Sequence, residues 1–505
     1  LKKIIGIYYE ESIAKAVIAE KHDLYGFDDN KKYKFLLIQF KNIGALNKAK
    51  KIFYTETIVD DVYDKKLLKE GYCFRNIHMF LYEAQIPPLL KLFHIKEIAP
   101  SGWIILPSIK TRKSTNRKTY AYYEMEINYK DIISKPEKEG IVKYNICSYD
   151  IEASSSHGDF PIAIKDYKKL AIDIIAYYNS LITKEDFDDE VLKKCILTGF
   201  NFDNIESINC VYPKNKNIEF IKIYSIIDDL LKININKHKD DNDIDEEDFS
   251  SSSDEDLNVD GNQDINTEQV KFHPKNKIKK YIKSGTIIDV INDLKCNYDV
   301  KLNELNKLLT SYLPKLEGDT ITYIGLSFIY YGEKKPYNRI LLVKGGCSPP
   351  SDYDLSGTQI ISLDTEREIL LMFNKIFQTR NPHIIIGYNV NGFDFDFMHK
   401  RSKELDCEEE FLKLSFNKKE VCWTTDWKTG KKDIEKSKIF LASGEYNLKY
   451  IKMPGRVIID LCNVFRRDHI LSSYKLDYVS SYFISDDVKK YEYIDNKTKI
   501  YSKNL

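Results

Sequence analysis

Nine cysteines are spread over this chain, yet no two of them stand in a Cys-x-x-Cys pair. The missing pairs argue against a zinc ribbon or a disulfide framework, and they suit a reducing, intracellular compartment. Neither sign of charge is in excess: 77 Lys and Arg balance 77 Asp and Glu over 505 residues. With no net charge, any nucleic-acid binding has to come from local basic patches. No apolar run approaches the ~18 residues of a membrane-spanning helix, and no signal peptide is visible, so a membrane is not an expected partner. What is present is a globular composition, 43% hydrophobic and 30% charged, in a length that suits roughly two to four domains.

The stretch around which the rest is organised is YNICSYDIEASSSHGDFP, residues 144–161. Its first half reads as a β-strand, in which side chains at i and i+2 share a face, so Asp150 and Glu152 converge on one spot. Two carboxylates held side by side repel unless a cation lies between them, and a divalent ion suits that place. The spacing alone is common here: Asp188/Glu190, Asp245/Glu247 and Asp364/Glu366 share it. The decision therefore rests on the rest of the chain.

Residues 1–140 alternate strand-like segments (KKIIGIYYE, KYKFLLIQF, KKIFYTETIV) with polar turns, and a helix follows Pro87-Pro88. SGWIILP and YAYYEMEINY read as paired strands, with the basic run Lys110, Arg112, Lys113, Arg117 and Lys118 in the turn between them. That run reads first as a solvated hairpin tip and second as a phosphate contact. After the strand at 141–153 the pattern changes. Residues 164–315 read as an insertion with helical apolar spacing, and within it 240–268 carry thirteen acidic groups in 29 residues with no Lys or Arg. Such a run cannot bury enough apolar surface to fold and is expected to be disordered. Strands resume at 317–331 and 337–346, and an amphipathic helix spans 365–380. A buried strand, a Gly/Asn turn and a helix fill 381–405; GRVIIDL leads from strand to helix, and SSYKLDYVSSYFI forms a helix with Leu476, Val479 and Phe483 inward. The order implies an α/β sandwich with a mixed sheet.

GYNVNGFDFDFM, residues 387–398, ends that buried strand and opens a helix with Asp394. It resembles the Exo II motif of the family B DNA polymerases, a Gly-Tyr-Asn turn followed by Phe-Asp. SYDIEASSSHGDFP then resembles the same family's Exo I. LYEAQIPPLLKLFHIKEIAPSGWI, EGDTITYIGLSF, the Thr365-Glu366 helix before NPHIIIGYN, and GRVIIDL before SYKLDYVS keep the family's order. The resemblance is to the eukaryotic delta-type and large DNA virus members and covers nearly all of the chain but the insertion. It implies an RNase H-like exonuclease domain of α/β class with a mixed sheet over 141–505, interrupted by 164–315, and a β-rich α+β N-terminal domain over 1–140.

The same resemblance implies a proofreading 3′→5′ exonuclease that hydrolyses a phosphodiester with two divalent ions, Mg2+ or Mn2+. Hard cations take oxygen ligands, hence carboxylates rather than His or Cys. Carried over by motif position, Asp150 would bridge both ions, Glu152 would bind the water-side ion and Asp394 would hold the other. Phe160, Tyr388 and Phe393, with Asn389 in the turn, are the candidate DNA contacts. Asp460 reads as the cap of the helix after it rather than as a ligand. The family completes its site with Tyr-x-x-x-Asp; Tyr482/Asp486 and Tyr491/Asp495 have that spacing, but SYKLDYVSSYFI matches a helix upstream of the motif. The third motif is therefore expected beyond Leu505, in a longer protein whose polymerase half, with its DxxSLYPS-like and YGDTDS-like stretches, is not in this sequence. The implied partners are primer-template DNA, a single-stranded 3′ end, a processivity factor and, for a full-length enzyme only, dNTP; the implied location is the nucleus or a cytoplasmic virus factory. Two alternatives stand beside this reading: a stand-alone exonuclease of repair, and a noncatalytic DNA-binding scaffold.

Overall fold

The computed structural model describes residues 11–22, 31–59, 62–156, 158–183, 186–235, 285–348, 355, 357–426, 429–441 and 444–484. It divides into two compact units, one of Leu1–Ser114 with Met125–Ile141 and the other of Thr115–Glu124 with Val142–Leu505. KKIIGIYYE and the acidic segment 240–268 lie outside the described residues.

The first unit is built of short antiparallel ribbons. Ile13–Lys21 pairs with Tyr33–Phe40, and Tyr54–Val59 with Val62–Leu67. The helix Ile43–Lys50 begins where the Asn42 side chain accepts the Ala45 N–H at 2.8 Å, the usual way of satisfying an orphan donor at a helix start. The helix Pro88–Lys96 follows Pro87, as the two prolines imply. The pairing expected of SGWIILP with YAYYEMEINY does not form. Ile104–Ile105 pairs instead with Ile133–Ser134, and only Met125–Glu126 of the tyrosine-rich stretch is a strand, on Arg112–Lys113. The reason is local: Glu124 turns back to accept the Lys118 and Thr119 backbone N–H groups, while Tyr122 and Tyr123 stay exposed and bring no burial to hold an extended ribbon.

The second unit is organised on a six-stranded mixed sheet. Its strands are β1 (Asn145–Ser154), β2 (Thr320–Tyr330), β3 (Asn338–Lys344), β4 (Thr358–Leu363), β5 (Ile384–Gly387) and β6 (Val457–Asp460), in the order β4-β3-β2-β1-β5-β6. β1 runs antiparallel to β2 and parallel to β5, and β5 parallel to β6. Alternation decides the faces: Cys147, Tyr149 and Ile151 of β1 and Ile324, Leu326 and Phe328 of β2 are buried together.

Among the described residues, five helices interrupt the β1–β2 pair: α1 (Lys168–Ser180), α2 (Asp189–Gly199), α3 (Phe220–Leu231), α4 (Ile287–Asn292) and α5 (Tyr298–Tyr312). They enclose a separate apolar core around Tyr167, Ile174, Leu192, Ile227 and Leu309, so the insertion buries its own surface. Its two ends meet at Asp319, which accepts the Ile162 N–H at 2.8 Å and pairs with Lys165 at 2.5 Å.

After β4, α6 (Glu366–Arg380) starts in a capping box of Thr365 and Glu368 and buries Ile369, Leu370, Phe373 and Phe377 on the sheet. Each ring so buried is worth about 1.5–3 kcal/mol. α7 (Asp394–Glu404) follows β5, α8 (Glu408–Phe411) follows α7, α9 (Leu461–Asp468) follows β6, and α10 (Leu476–Phe483) closes the described chain. In α10 only Val479 is buried; Leu476 and Phe483, expected inward, are exposed. An eight-residue helix has too little length for a full apolar stripe, and Phe483 leans instead on Phe465 and His469.

Candidate active site

The central strand sets the first two carboxylates. With Tyr149 and Ile151 committed to the core, Asp150 and Glu152 must point from the opposite, open face of β1. The β1–β2 register shifts immediately after Glu152, an irregularity that re-aims side chains at a strand end. On the other side, β5 pairs with β1 as far as Ser148↔Ile386 and stops at Gly387. The chain then folds over β1 in a tight turn. A Cβ on Gly387 would meet Val390 Cγ1 at 2.3 Å, so glycine is required there, and Asn389 takes the left-handed conformation at φ 59°.

This turn delivers Asp394 as the first residue of α7, 3% exposed. Asp150 and Asp394 lie close enough for each to act on the ionisation of the other. Burial, and after it the Asp150 charge, push the Asp394 pKa up to about 7, against the backbone N–H groups of Asp394 and Ile151. Asp150 and Glu152 are raised too, each first by burial, with the Asp150 charge adding to the shift of Glu152. The structure thus brings Asp150 and Asp394 together and sets Glu152 beside them on the strand. Among the described residues no three His, Cys, Asp or Glu side chains form a ready-made cage for an ion.

The residues nevertheless suit a divalent cation. The donors are all carboxylate oxygens, and the Asp394 Oδ1 is buried with no hydrogen-bond partner, a cost that native interiors rarely carry without a ligand or a function.

Asp460 does more than its sequence suggested. Oδ1 accepts the Cys462 N–H at 3.0 Å, the cap expected of it, and also the Asn389 N–H at 2.9 Å. Oδ2 accepts the Asn391 N–H at 3.0 Å. One buried carboxylate therefore ties the start of α9 to the turn that carries Asp394. Nothing in local spacing signals a contact 71 residues away.

The candidate DNA contacts divide. Phe160, 63% exposed, packs edge-on against Phe393 with ring centroids 5.3 Å apart. Tyr388 is half-buried and its hydroxyl donates to the Tyr474 carbonyl, which fixes the ring in the turn; Asn389 is exposed. Tyr482 is exposed, while Asp486, Tyr491 and Asp495 lie outside the described residues.

Residues 79–231 and 215–479 match the family described as DNA polymerase family B, exonuclease domain. The chain belongs to that family. Among its relatives, the DNA polymerase of Phaeocystis pouchetii virus is 50% identical over 516 residues, covering 100% of this chain and 49% of that protein. The DNA polymerase of Pyramimonas orientalis virus is 30% identical over 494 residues, covering 95% of this chain and 36% of the relative. The DNA polymerase delta catalytic subunit of Arabidopsis thaliana is 29% identical over 176 residues, 35% of this chain and 15% of that protein. The chain thus spans half or less of the length of these polymerases. The family B exonuclease domain accounts for the α/β architecture with its mixed sheet. No helix among the described residues is long and apolar enough to cross a membrane.

Proposed function

We propose that this chain is the proofreading part of a replicative DNA polymerase, an RNase H-like 3′→5′ exonuclease that trims a mispaired nucleotide from a single-stranded 3′ end. The observation that carries the reading is the meeting of Asp150 and Asp394, 244 positions apart, on the open face of a family B exonuclease sheet, with Glu152 beside them. Asp150, Glu152 and Asp394 would hold the two divalent ions, Mg2+ or Mn2+. When bound, such ions stabilise charge on the leaving oxygen and make water acidic enough to attack at neutral pH.

The chain's own residues supply the rest. The Gly387 turn and Asp460 hold Asp394 against Asp150. The Phe160–Phe393 pair offers an exposed aromatic edge on which an unpaired base can stack. In the full-length enzyme the partners would be primer-template DNA, dNTP at a separate polymerase site and a processivity factor, inside the cell.

The test is release of a labelled 3′-terminal nucleotide from single-stranded DNA by the full-length gene product with Mg2+ or Mn2+. Asp150→Ala and Asp394→Ala should each lower the rate on the order of 10^3-fold, the scale on which transition-state charge stabilisation acts. Cleavage that survives either change would sink the site assignment.

A further inference from the structure

A second surface lies at the opposite end of β1 from the carboxylates. Tyr144, Tyr330, Tyr331 and Tyr337 gather there, 43%, 42%, 59% and 42% exposed. Tyr330 and Tyr337 are stacked, ring centroids 4.7 Å apart and planes 20° from parallel. The platform is built rather than loose: the Tyr337 hydroxyl donates to Asn145 Oδ1 at 3.1 Å, and the Tyr331 N–H donates to the Tyr144 carbonyl at 2.8 Å. Four half-exposed tyrosines on one edge carry more apolar area than a solvated turn requires, and a ring held parallel to its neighbour has one face left for a third flat group.

The charge left without an ion-pair partner beside them is of one sign. Lys334 and Lys335 form the exposed turn between β2 and β3, and Arg380 ends α6 with its carbonyl accepting from the same Asn145 side chain at 2.8 Å. None of the three has an ion-pair partner among the described residues, and the neighbouring Glu333 is already neutralised by Lys143. Stacking faces interleaved with unmatched cations are what a single strand needs: rings for its bases, point charges for its phosphates.

We propose that this tyrosine-lysine edge binds unpaired nucleotides of a single-stranded nucleic acid, at a site separate from the exonuclease cleft. Asn145 and Asp150 are five residues apart on one strand, roughly 17 Å at ~3.3–3.4 Å per residue, so a strand held at the edge lies several nucleotides away from the carboxylates. The occupant is a polyanion with flat bases; an acidic protein segment would use the lysines but gain little from the stacked pair.

The experiment measures binding of a fluorescent oligo(dT) 20-mer to the whole 505-residue chain in EDTA, where hydrolysis plays no part, over a range of salt. Tyr330→Ala should weaken binding about fivefold to a hundredfold, the worth of one stacked base, while Tyr330→Phe, which keeps the ring, should bind as the wild type does. Lys334→Ala with Lys335→Ala should flatten the plot of log K against log salt by about 1.4, two single-strand phosphate contacts. Tyr298→Ala, an exposed tyrosine at the start of α5 on the helical insertion, should leave all of this unchanged, which ties the effect to this edge. An oligo(rU) arm tells whether the sugar matters. Absence of binding by the wild type, or an unchanged affinity and salt slope in the tyrosine and lysine variants, overturns the proposal. Loss of 3′ cleavage alone would count against the exonuclease reading and leave this one standing.

Discussion

At the scale of single residues, environment separates carboxylates that share one spacing. Asp188 became the cap of α2, accepting the Val191 N–H at 2.9 Å, and Glu366 became the buried partner of Arg401; Asp245/Glu247 lies outside the described residues. Among the described pairs, only Asp150 and Glu152 combined a strand, an open face and a third carboxylate nearby. Asp394 has a consequence for stability. Its folded pKa of about 7 lies above the ordinary carboxylate value of 3.8, so the unfolded chain releases that proton first. The favourable contribution is therefore fully present below about pH 3.8 and is lost as pH rises through about 7. Asp394→Asn should stabilise the ion-free protein at pH 8, by on the order of 1–3 kcal/mol, and the gap should close near pH 4. Thermal melts at the two pH values measure it; equal melting at pH 8 would refute the shift. In the proposed site Asp460 would act through the turn, whose Asn389 and Asn391 N–H groups it accepts, and not on substrate. Asp460→Ala should cut kcat for 3′ cleavage roughly ten- to a hundredfold, as losses of outer supporting partners do, with KM little changed. Asp460→Asn, which keeps one acceptor, should fall between. A variant whose KM alone rises would show that the turn holds substrate and not Asp394.

At the scale of elements, the sheet and the helical insertion each carry a core, and a few buried charges join them. Arg401 of α7 makes a bidentate pair with Glu366 at the start of α6, 2.6 and 2.9 Å, and also donates to the Ala163 carbonyl at 3.1 Å, where the chain leaves for the insertion. Glu366 in turn accepts the Ile321 N–H of β2 at 2.9 Å. Removing one member of such a pair strands its partner in a dry site. Glu366→Ala should lower unfolding free energy by about 3 kcal/mol or more, read by urea denaturation; a loss under 1 kcal/mol would mean that Glu404, which also accepts from Arg401, already satisfies it.

At the scale of the whole molecule, the proposed exonuclease site draws Asp150, Glu152 and Asp394 from this chain, and the family resemblance implies a further Tyr-x-x-x-Asp motif. On the proposed reading, a site without that tyrosine and aspartate would hold neither nucleophile nor ion in line. The purified 505-residue chain should therefore show little cleavage with Mg2+ or Mn2+, and extension through a Tyr-x-x-x-Asp motif should restore it. Ordinary degradation by the 505-residue chain would identify Tyr482/Asp486 or Tyr491/Asp495 as the working pair and refute the placement downstream.

Much of this was legible from the chain alone, for physical reasons that operate locally. Two-residue alternation put Asp150 and Glu152 on one face; the Thr365 capping box opened α6; the Gly-Tyr-Asn turn and the first position of a helix placed Asp394. Each depends on neighbours within a few residues, so the order of residues suffices. What required tertiary structure depends on groups far apart in sequence. The reach of Asp460 to Asn389 and Asn391, the pKa of about 7 at Asp394, and the separate core of the insertion arise only when distant segments exclude water together. The tyrosine-rich stretch at 120–129 failed as a strand for the same reason: its composition favours extension, but Tyr122 and Tyr123 find nothing to bury against. Spacing supplied the candidate carboxylates, and only the packing of distant segments, by excluding water around them, set Asp394 beside Asp150.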